Sequence, residues 1–435
     1  MKEVNFVKTQ GVSLFDEDNN KYMDAVSGTF NLALGYTHPK MVGILKAQLD
    51  SVVHISSHHS KPQVQALHEK LQKHAPEGLT QGWYRDITGS TANEGAVKMA
   101  QKATGRTDII THFLSHHGQT SLMTALSGNA FRRENLPENT TAHTLKVPEP
   151  NCRKCFYGAS YPECGFTCVE KIQDFMEYGS NGSVAAMMVE PIIANGGNIV
   201  PPDGYFQALQ QFCNERDIAL IVDEVHAGMG RTGEMFASTL FGMNPDIMTV
   251  GKGLGGIGIP AAAILMRPEY DVLSSYDHSF TSGGNVLSLV VATATIDIME
   301  EEKILDHVKG HECVISGLLE DLKASFPNIC DVRGKGFMWG IEFEREDGSA
   351  DSDMVNAVIE TAFDNQQLIL RGTRYGYGNV IEFRPALVAT KDELSEMVHR
   401  LRGAIEDTLK LDPSFKYKRQ VFRSVDVNDL NSGVA

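Results

Sequence analysis

The sequence predicts an α/β protein with a large, doubly wound, mainly parallel sheet, and two observations lead to that class. Short, almost fully apolar runs recur along the middle of the chain. The stretch 203–216, between two of them, and the stretch 91–103, before the first, have the apolar spacing of helices. Buried strands separated by helices are typical of a parallel sheet that is covered on both faces. The predicted strands are 108–114, 184–189, 218–222, 246–250 and 260–266.

The two ends of the chain have a different pattern from the middle. Residues 1–50 combine apolar pieces with a polar turn, and residues 301–411 contain a long helix, a Gly-rich stretch and a final helix. Thr390 and Glu393 have capping-box spacing at the start of that last helix. We therefore expect one small α+β domain built from both ends, beside a large domain over residues 51–300. Residues 412–435 are polar and are predicted to be a surface tail.

Composition excludes several classes of function. The 435 residues are enough for two or three domains, and the net charge is −16. An acidic balance argues against nucleic-acid or anionic-membrane binding, because both require Lys/Arg surfaces. No apolar run approaches the ~18 residues of a membrane helix, and the first twenty residues do not resemble a signal peptide. We expect a cytoplasmic protein.

Two polar clusters follow predicted strands. An apolar run ends in Asp223-Glu224 and continues into a Gly-rich loop, and a second run is followed by Lys252 among glycines. The carboxyl edge of an open α/β sheet is where ligands bind. A single acid at the end of a strand is more often a solvated surface residue than a functional one. Desolvation of a lysine, by contrast, lowers the pKa of its amine and makes the amine a nucleophile.

The glycines around Lys252 also match a dinucleotide-binding pattern. Gly251, Gly253 and Gly256 spell G-x-G-x-x-G. The predicted strand at 260–266 leaves no room for the helix that would hold a pyrophosphate, which disfavours a nicotinamide enzyme. A Walker loop is excluded because Lys252 is followed by glycine.

Three further clusters are weaker signals. Gly89 and Ser90 open a predicted helix, where free N–H groups attract an anion such as phosphate. His116 and His117 are adjacent in sequence, and that spacing rarely directs both rings at one metal ion. Residues 278–285 form a polar Gly-rich loop that is either an anion site or a connector.

In this order, the clusters resemble those of the class III aminotransferases of fold type I, which use pyridoxal 5′-phosphate (PLP). The resemblance covers nearly the whole chain, and residues 190–209 look closest to the dialkylglycine decarboxylase branch. The matching segments are G-x-x-L-x-D at 11–16, LGYTHP at 34–39, VEP at 189–191, DEVHAGMGRTG at 223–233, GKGLGG at 251–256, the Gly-rich stretch at 331–343 and FRPAL at 383–387.

The resemblance implies a role for each of five residues. Lys252 would form the Schiff base with PLP and move the substrate proton, and Asp223 would pair with the pyridinium nitrogen. Gly89 and Ser90 would hold the phosphate. Thr281 matches a threonine that contacts the phosphate of the other subunit, which implies a homodimer.

The sequence also departs from the family pattern. His116 stands where an aromatic residue usually stacks on the ring, and His226 where many members have a glutamine near the ring hydroxyl.

Arg384 matches the arginine that binds a substrate carboxylate. Asn195 replaces a glutamate that neutralises this arginine in some members, so we expect an unpaired Arg384 and substrates with an α-carboxylate.

The expected function is amino transfer between an amino acid and a 2-oxo acid by a ping-pong mechanism. A decarboxylating transaminase of dialkylglycine type and an amino-acid racemase or epimerase share the fold and stay open as alternatives. A metal-binding protein is an alternative from another class, because four cysteines lie within 17 residues, although buried or incidental thiols are favoured and no metal is assigned. These cysteines are Cys152, Cys155, Cys164 and Cys168.

Overall fold

A computed structural model describes residues 3–56, 59, 61–128, 133, 143–373 and 376–410. The predicted polar tail, 412–435, lies outside the described residues. No helix within the described ranges is long and apolar enough to cross a membrane.

The secondary-structure elements alternate through most of the described chain. The strands are β1 (Phe6–Gln10), β2 (Ser13–Asp16), β3 (Lys21–Asp24), β4 (Gln81–Asp86), β5 (Asp108–His112), β6 (Thr144–Val147), β7 (Val184–Val189), β8 (Ala219–Asp223), β9 (Ile247–Val250), β10 (Ala262–Met266), β11 (Ile329–Lys335), β12 (Met338–Phe343), β13 (Leu368–Ile369), β14 (Arg371–Gly372) and β15 (Val380–Phe383). The helices are α1 (Ser27–Phe30), α2 (Pro39–Leu49), α3 (Pro62–Gln72), α4 (Gly89–Thr104), α5 (Ser121–Leu126), α6 (Thr167–Glu170), α7 (Ile172–Gly179), α8 (Tyr205–Asn214), α9 (Ala237–Leu240), α10 (Val286–Glu301), α11 (Ile304–Ser325), α12 (Ser352–Gln366) and α13 (Lys391–Lys410).

The large sheet has seven strands in the spatial order β4-β10-β9-β8-β7-β5-β6. Strands β6, β5, β7, β8 and β9 pair in parallel, while β10 runs antiparallel to both of its neighbours, β9 and β4. The connection from β9 to β10, residues 251–261, is shorter than the dozen or so residues that a parallel crossover needs. The short connection therefore explains why β10 is antiparallel to β9. Because β4 is antiparallel to β10, it runs parallel to the other five strands.

Helices cover both faces of this sheet. On β7, Ala186 and Met188 join the apolar cluster under α4, while Met187 and Val189 join the cluster under α8. Alternate residues of one strand thus enter two separate cores, which is why the strand is apolar throughout. The predicted doubly wound α/β sheet is confirmed.

Both ends of the chain contribute to the smaller α+β part. Strand β13 pairs in parallel with β3, so residues from near position 370 extend a sheet that begins at position 6. A second sheet has the order β11-β12-β15-β14, and α12 and α13 pack together beside it. The capping box of α13 is present: the Thr390 N–H donates to Glu393, and the Glu393 N–H donates to the Thr390 hydroxyl.

Candidate active site

The carboxyl ends of five parallel strands bring polar residues from distant parts of the sequence to one edge of the sheet. Gly89 follows β4, His116 follows β5 and Glu190 follows β7. Asp223 is the last residue of β8, and Lys252 comes two residues after β9. Because these strands point the same way, their ends meet where open α/β sheets bind ligands.

A cavity of about 330 Å³ opens at this edge. That volume lies at the lower end of the range for small-molecule sites, roughly 300–1,000 Å³. The structure therefore brings together six of the eight residues that the sequence singled out. The predicted residues that line the cavity are Gly89, Ser90, His116, Asp223, His226 and Lys252.

Asp223 is buried, and a network of hydrogen bonds fixes its carboxylate. Its Oδ2 accepts from Asn93 Nδ2 at 2.7 Å and lies 2.8 Å from His117 Nδ1, while its Oδ1 accepts from the Val225 N–H at 3.0 Å. Asn93 is itself held by the Thr249 hydroxyl at 2.5 Å. The carboxylate therefore faces the cavity in one orientation, set by both α4 and β9.

Lys252 begins a 3₁₀ turn and adopts a left-handed backbone conformation, with φ at 39°. Burial lowers the pKa of its amine to about 8, although the charges of Asp223 and Glu190 act in the opposite direction. A lysine with that pKa has a substantial unprotonated fraction near neutral pH. The amine at this position can therefore act as a nucleophile and exchange protons with a ligand.

His226 and Glu190 form a second buried pair beside the cavity. The Nδ1 of His226 lies 3.9 Å from Glu190 Oε2, and its Nε2 is buried without a hydrogen bond to any described residue. Burial, followed by the charge of Lys252, holds the pKa of His226 well below its usual value, so the ring is neutral. Burial raises the pKa of Glu190 to about 7. A neutral imidazole with one unused nitrogen is ready to bond a polar ligand atom.

The opposite end of the cavity is the start of α4. Thr88 caps this helix, its hydroxyl accepting from the Thr91 N–H, and Gly89 and Ser90 form the first turn. A Cβ on Gly89 would lie 2.6 Å from the Val225 side chain, so only glycine fits without displacing it. The helix start directs N–H groups and positive potential into the cavity, which suits an anion.

Arg384 follows directly after β15 and is not among the residues that line the cavity, and only 1% of its surface is exposed. Its Nη2 donates to the Ala194 carbonyl at 2.8 Å, Asn198 Oδ1 at 2.5 Å and Glu382 Oε1 at 2.9 Å. The expectation of an unpaired Arg384 is wrong. Its partner is Glu382, two residues earlier in the same segment, rather than a residue at position 195.

Thr281 is exposed and does not line the cavity of its own chain. Its loop is anchored by His278, whose buried Nε2 lies 3.1 Å from Asp86 Oδ1. A single chain therefore does not bring Thr281 to the other predicted site residues.

Glu224, the second acid of the Asp-Glu pair, has a structural role. It is fully buried and accepts from the N–H groups of Ala237 and Ser238, at 3.1 and 2.5 Å, and from the Ser238 hydroxyl at 2.6 Å. It therefore fixes the start of α9, while Asp223 faces the cavity.

Sequence reasoning gave no role to Asn93 or His117. Asn93 lies inside a predicted amphipathic helix, and His117 was noted only for its spacing to His116, which took the assigned role. For Asn93, the sequence signal was a polar residue on the apolar side of α4. Glu190 was noted only as part of a matching motif, although the structure places it next to His226.

The four clustered cysteines are free thiols, one exposed and three partly buried. Burial raises the pKa of Cys168 to about 11, and the other three thiols add to the effect. Within the described residues, a set of three possible metal ligands within 4.8 Å of one another consists of Cys330, Glu342 and Glu344. Arg153 and Lys154 already neutralise those two carboxylates.

The sheet, the buried lysine and aspartate at its carboxyl edge and the helix start beside them match the PLP-dependent enzymes of fold type I. The comparisons agree: the chain belongs to the class III aminotransferase family ("Aminotransferase class-III"), which matches residues 1–405. Members of this family use PLP, and the chain is a PLP-dependent aminotransferase that moves an amino group between an amino acid and a 2-oxo acid.

The chain is similar to several characterised proteins along nearly its whole length. It is 31% identical to the diaminobutyrate–2-oxoglutarate aminotransferase of Haemophilus influenzae, over 93% of this chain and 91% of the relative. It is 32% identical to an alanine/serine racemase of Pyrococcus horikoshii, over 92% and 85%. A solved taurine:2-oxoglutarate aminotransferase from Bifidobacterium kashiwanohense, in complex with PLP and glutamate, has the same fold, with a TM-score of 0.85, 24% identity and 94% of each chain covered.

Replacing Glu224 tests whether this acid has a structural role, in contrast to the adjacent Asp223. We expect Glu224→Ala to lower the free energy of unfolding by about 2–4 kcal/mol, because three buried donors lose their acceptor. Urea denaturation of the holoenzyme measures the change. Glu215→Ala, at an exposed position after α8, is the matched control. An unfolding midpoint equal to that of the control would contradict the structural role.

The lowered pKa of Lys252 predicts the pH dependence of PLP binding. Only the unprotonated amine attacks a carbonyl, so we expect the rate of PLP uptake by the apoprotein to rise with pH, with a midpoint near 8, before it levels off. Stopped-flow absorbance measures this rate, and Lys323→Ala should leave the profile unchanged. A midpoint near the ordinary lysine value of about 10.4 would show that the amine is not desolvated.

Proposed function

We propose that the cavity holds PLP through five of the residues that line it. The start of α4, with Gly89 and Ser90, suits the phosphate, and Asp223 suits the ring nitrogen. Lys252 supplies the amine, and the unused Nε2 of His226 is available to the ring hydroxyl. The observation that carries this assignment is the meeting of Lys252 and Asp223 in one cavity with an anion site at its end.

When bound, PLP supplies the electron sink that makes the Cα–H bond of an amino acid acidic. Lys252 would be the group that accepts that proton from Cα and later gives it back. A pKa of about 8 suits both directions, since a proton shuttle works best near the operating pH. Asp223 would pair with the protonated ring nitrogen, and Asn93 and His117 hold its carboxylate in place.

His116 lines the cavity and takes the position proposed for the group that stacks on the ring. Its backbone N–H donates to Glu190 Oε1 at 2.9 Å, which fixes the chain at this point. An imidazole offers a flat face, as the usual aromatic residue does. Unlike that residue, it can change its charge and so alter the electronics of the bound ring.

Arg384 is the proposed site for the substrate carboxylate. Its Nε and Nη1 are buried and donate to no residue of the described ranges, while its charge lowers the pKa of Lys252. A substrate carboxylate beside Lys252 would accept a hydrogen bond from one of these donors. The proposed substrates are therefore an amino acid and a 2-oxo acid.

Racemisation or epimerisation is a second candidate, and the similarity to a racemase at 32% identity favours it. Decarboxylating transamination, suggested by residues 190–209, is a third. All three reactions begin with the same binding of an amino acid and differ in the Cα bond that breaks and in the fate of the proton.

Replacing Lys252 tests the mechanism. We expect Lys252→Ala to reduce amino transfer by about a thousandfold or more, because it removes both the nucleophile and the proton shuttle. The measurement is turnover with a panel of amino acids and 2-oxo acids, and Lys323→Ala, at a half-buried lysine on α11, is the control. Substantial turnover by Lys252→Ala would refute the mechanism.

The same panel separates the candidate reactions when the wild-type enzyme is used. Stoichiometric conversion of the 2-oxo acid to an amino acid, without gas release, supports plain amino transfer. Carbon dioxide release would establish the decarboxylating reaction. Loss of optical activity without a 2-oxo acid acceptor would establish racemisation.

We also propose that the enzyme is a homodimer in which Thr281 contacts the phosphate bound by the other subunit. Its exposure outside its own cavity supports this assignment.

We expect sedimentation equilibrium to give twice the chain mass of 47.7 kDa. We also expect Thr281→Val to weaken PLP binding about tenfold, through the loss of one hydrogen bond to a charged group. Ser282→Ala, in the same exposed loop, is the matched control. Sedimentation of the wild-type enzyme as a monomer would contradict the dimer. PLP binding by Thr281→Val as tight as that of the wild-type enzyme would contradict the contact with the phosphate.

A further inference from the structure

The segment between β6 and α6 is long and has no hydrophobic core of its own. Residues 148–166, all within the described ranges, contain no helix or strand, and every residue from 151 to 168 is at least partly exposed. Loops of more than about 12–15 residues without secondary structure are uncommon in compact domains, and ordered ones are usually functional. Since no side chain from 151 to 168 is fully buried, hydrophobic burial contributes less to the order of this segment than elsewhere in the chain.

Ion pairs connect the segment to the smaller part of the molecule. Arg153 Nη1 lies 3.0 Å from Glu342 Oε1, and Lys154 Nζ lies 2.7 Å from Glu344 Oε1. Both cationic side chains are 33% exposed, so water competes with the pairs and weakens them. Ion pairs of this kind do not order a loop by themselves, because the conformational entropy of each ordered residue opposes them. Another interaction must therefore fix the backbone that carries the two cations.

The clustered cysteines lie in this segment and in the first turn of α6. Cys152 and Cys155 flank the two cations, and Cys164 and Cys168 are four positions apart where α6 begins. The Cys168 thiol interacts electrostatically with the other three, which places the four side chains in one neighbourhood. Of the seven cysteines only Cys213 is buried, so the cluster is not a set of core thiols.

The spacing and chemistry of the cluster suit a structural zinc ion. Two residues separate the cysteines of the first pair and three those of the second, and both spacings are typical of zinc ligands. Four thiolates complete a tetrahedral shell with no open position, and soft sulfur ligands favour zinc over magnesium or calcium. The spacer between the pairs, 156–163, is short, but turns at 156–157 and 161–166 bring the second pair near the first.

We propose that Cys152, Cys155, Cys164 and Cys168 together bind one zinc ion that holds this segment in place. All four belong to the described residues, and no three of their sulfur atoms lie within 4.8 Å of one another. Zinc–sulfur bonds of about 2.3 Å in a tetrahedron place the sulfurs about 3.8 Å apart. A change of rotamer moves a cysteine sulfur by about 3 Å, so side-chain rotation closes the set as zinc binds. The thiol protons pass to solvent.

The zinc ion supplies the order that burial does not. Its binding free energy adds to the stability of the folded segment. Because Cys152 and Cys155 flank the two cations, the ion fixes the backbone from which the ion pairs to the smaller part are made. Phe156 follows directly and contacts Phe113 edge-on, at a centroid distance of 5.7 Å, three positions before His116. The zinc site therefore stabilises a link between the smaller part and the segment that leads to the cavity.

Metal analysis of the purified holoenzyme tests the site. We expect about one zinc ion per chain to remain after dialysis against EDTA, because four thiolates hold zinc tightly. We expect Cys152→Ser and Cys168→Ser to retain less than about a tenth of that zinc. Cys152 is exposed, so its replacement does not disturb packing. Cys313→Ser, at an exposed cysteine on α11, is the matched control and should keep the full amount.

Limited proteolysis measures whether the ion orders the segment. Trypsin cleaves after Arg153 and Lys154, and fragment masses identify cleavage at these positions. We expect this cleavage to be at least about tenfold faster in Cys152→Ser than in the wild-type enzyme, because cleavage requires local opening of the chain. Removal of zinc from the wild-type enzyme with a mercurial reagent should have the same effect. Added zinc should restore protection to the wild-type enzyme and not to Cys152→Ser.

Several results would overturn the inference. They are wild-type holoenzyme without zinc, iron in place of zinc, equal zinc in Cys152→Ser, and cleavage that does not respond to zinc. A wild-type mass lowered by the hydrogens of one or two disulfides would overturn it as well. If a variant does not fold, zinc content and zinc removal in the wild-type enzyme still decide. The inference does not rest on the proposed function, and we expect Cys152→Ser to keep its bound PLP.

Discussion

The register between β8 and β9 is the constraint on which the rest of the site depends. Asp223 pairs with Thr249 across the two parallel strands, which places Lys252, three residues later, beside the carboxylate. Thr249 also bonds Asn93, and Asn93 bonds Asp223, so the register is fixed a second time by side chains. A slip of one residue would turn Asp223 to the other face of the sheet and separate it from the lysine.

The parts of the fold that the sequence predicted best are the strands buried on both faces. Strands such as β7 and β8 have no polar positions except at their ends, and a continuous apolar run identifies them. The edge strands β4 and β6 were missed because one side of each is only partly buried, and their sequences, QGWYRD and TLKV, mix polar and apolar residues. An edge strand lacks the continuous pattern on which such a prediction depends.

The residues of the site likewise differ in how well the sequence alone identified them. Lys252 and Asp223 were recognisable because a charged residue at the end of an apolar strand is unusual, and the family resemblance then gave each a role. His117 and Asn93 were not, since their function lies in a bond to Asp223 that only the folded chain creates. The pairing of Arg384 with Glu382 escaped for a similar reason: the sequence places them two residues apart but does not show that Arg384 turns toward Glu382.

The proposed chemistry and the proposed carboxylate site depend on different parts of the chain. The groups proposed to act on the cofactor come from the large sheet, whereas the Cζ of Arg384 lies 4.3 Å from the ring centroid of Phe30, near the other end of the sequence. The Ser27 hydroxyl donates to the Arg384 carbonyl at 2.9 Å, across 357 positions. Ser27 and Phe30 both have positive φ values, 46° and 64°, and Asp24 stabilises this segment by accepting from the N–H groups of Val26 and Gly28. If Arg384 binds the substrate carboxylate as proposed, changes in this N-terminal segment act on substrate binding through Arg384.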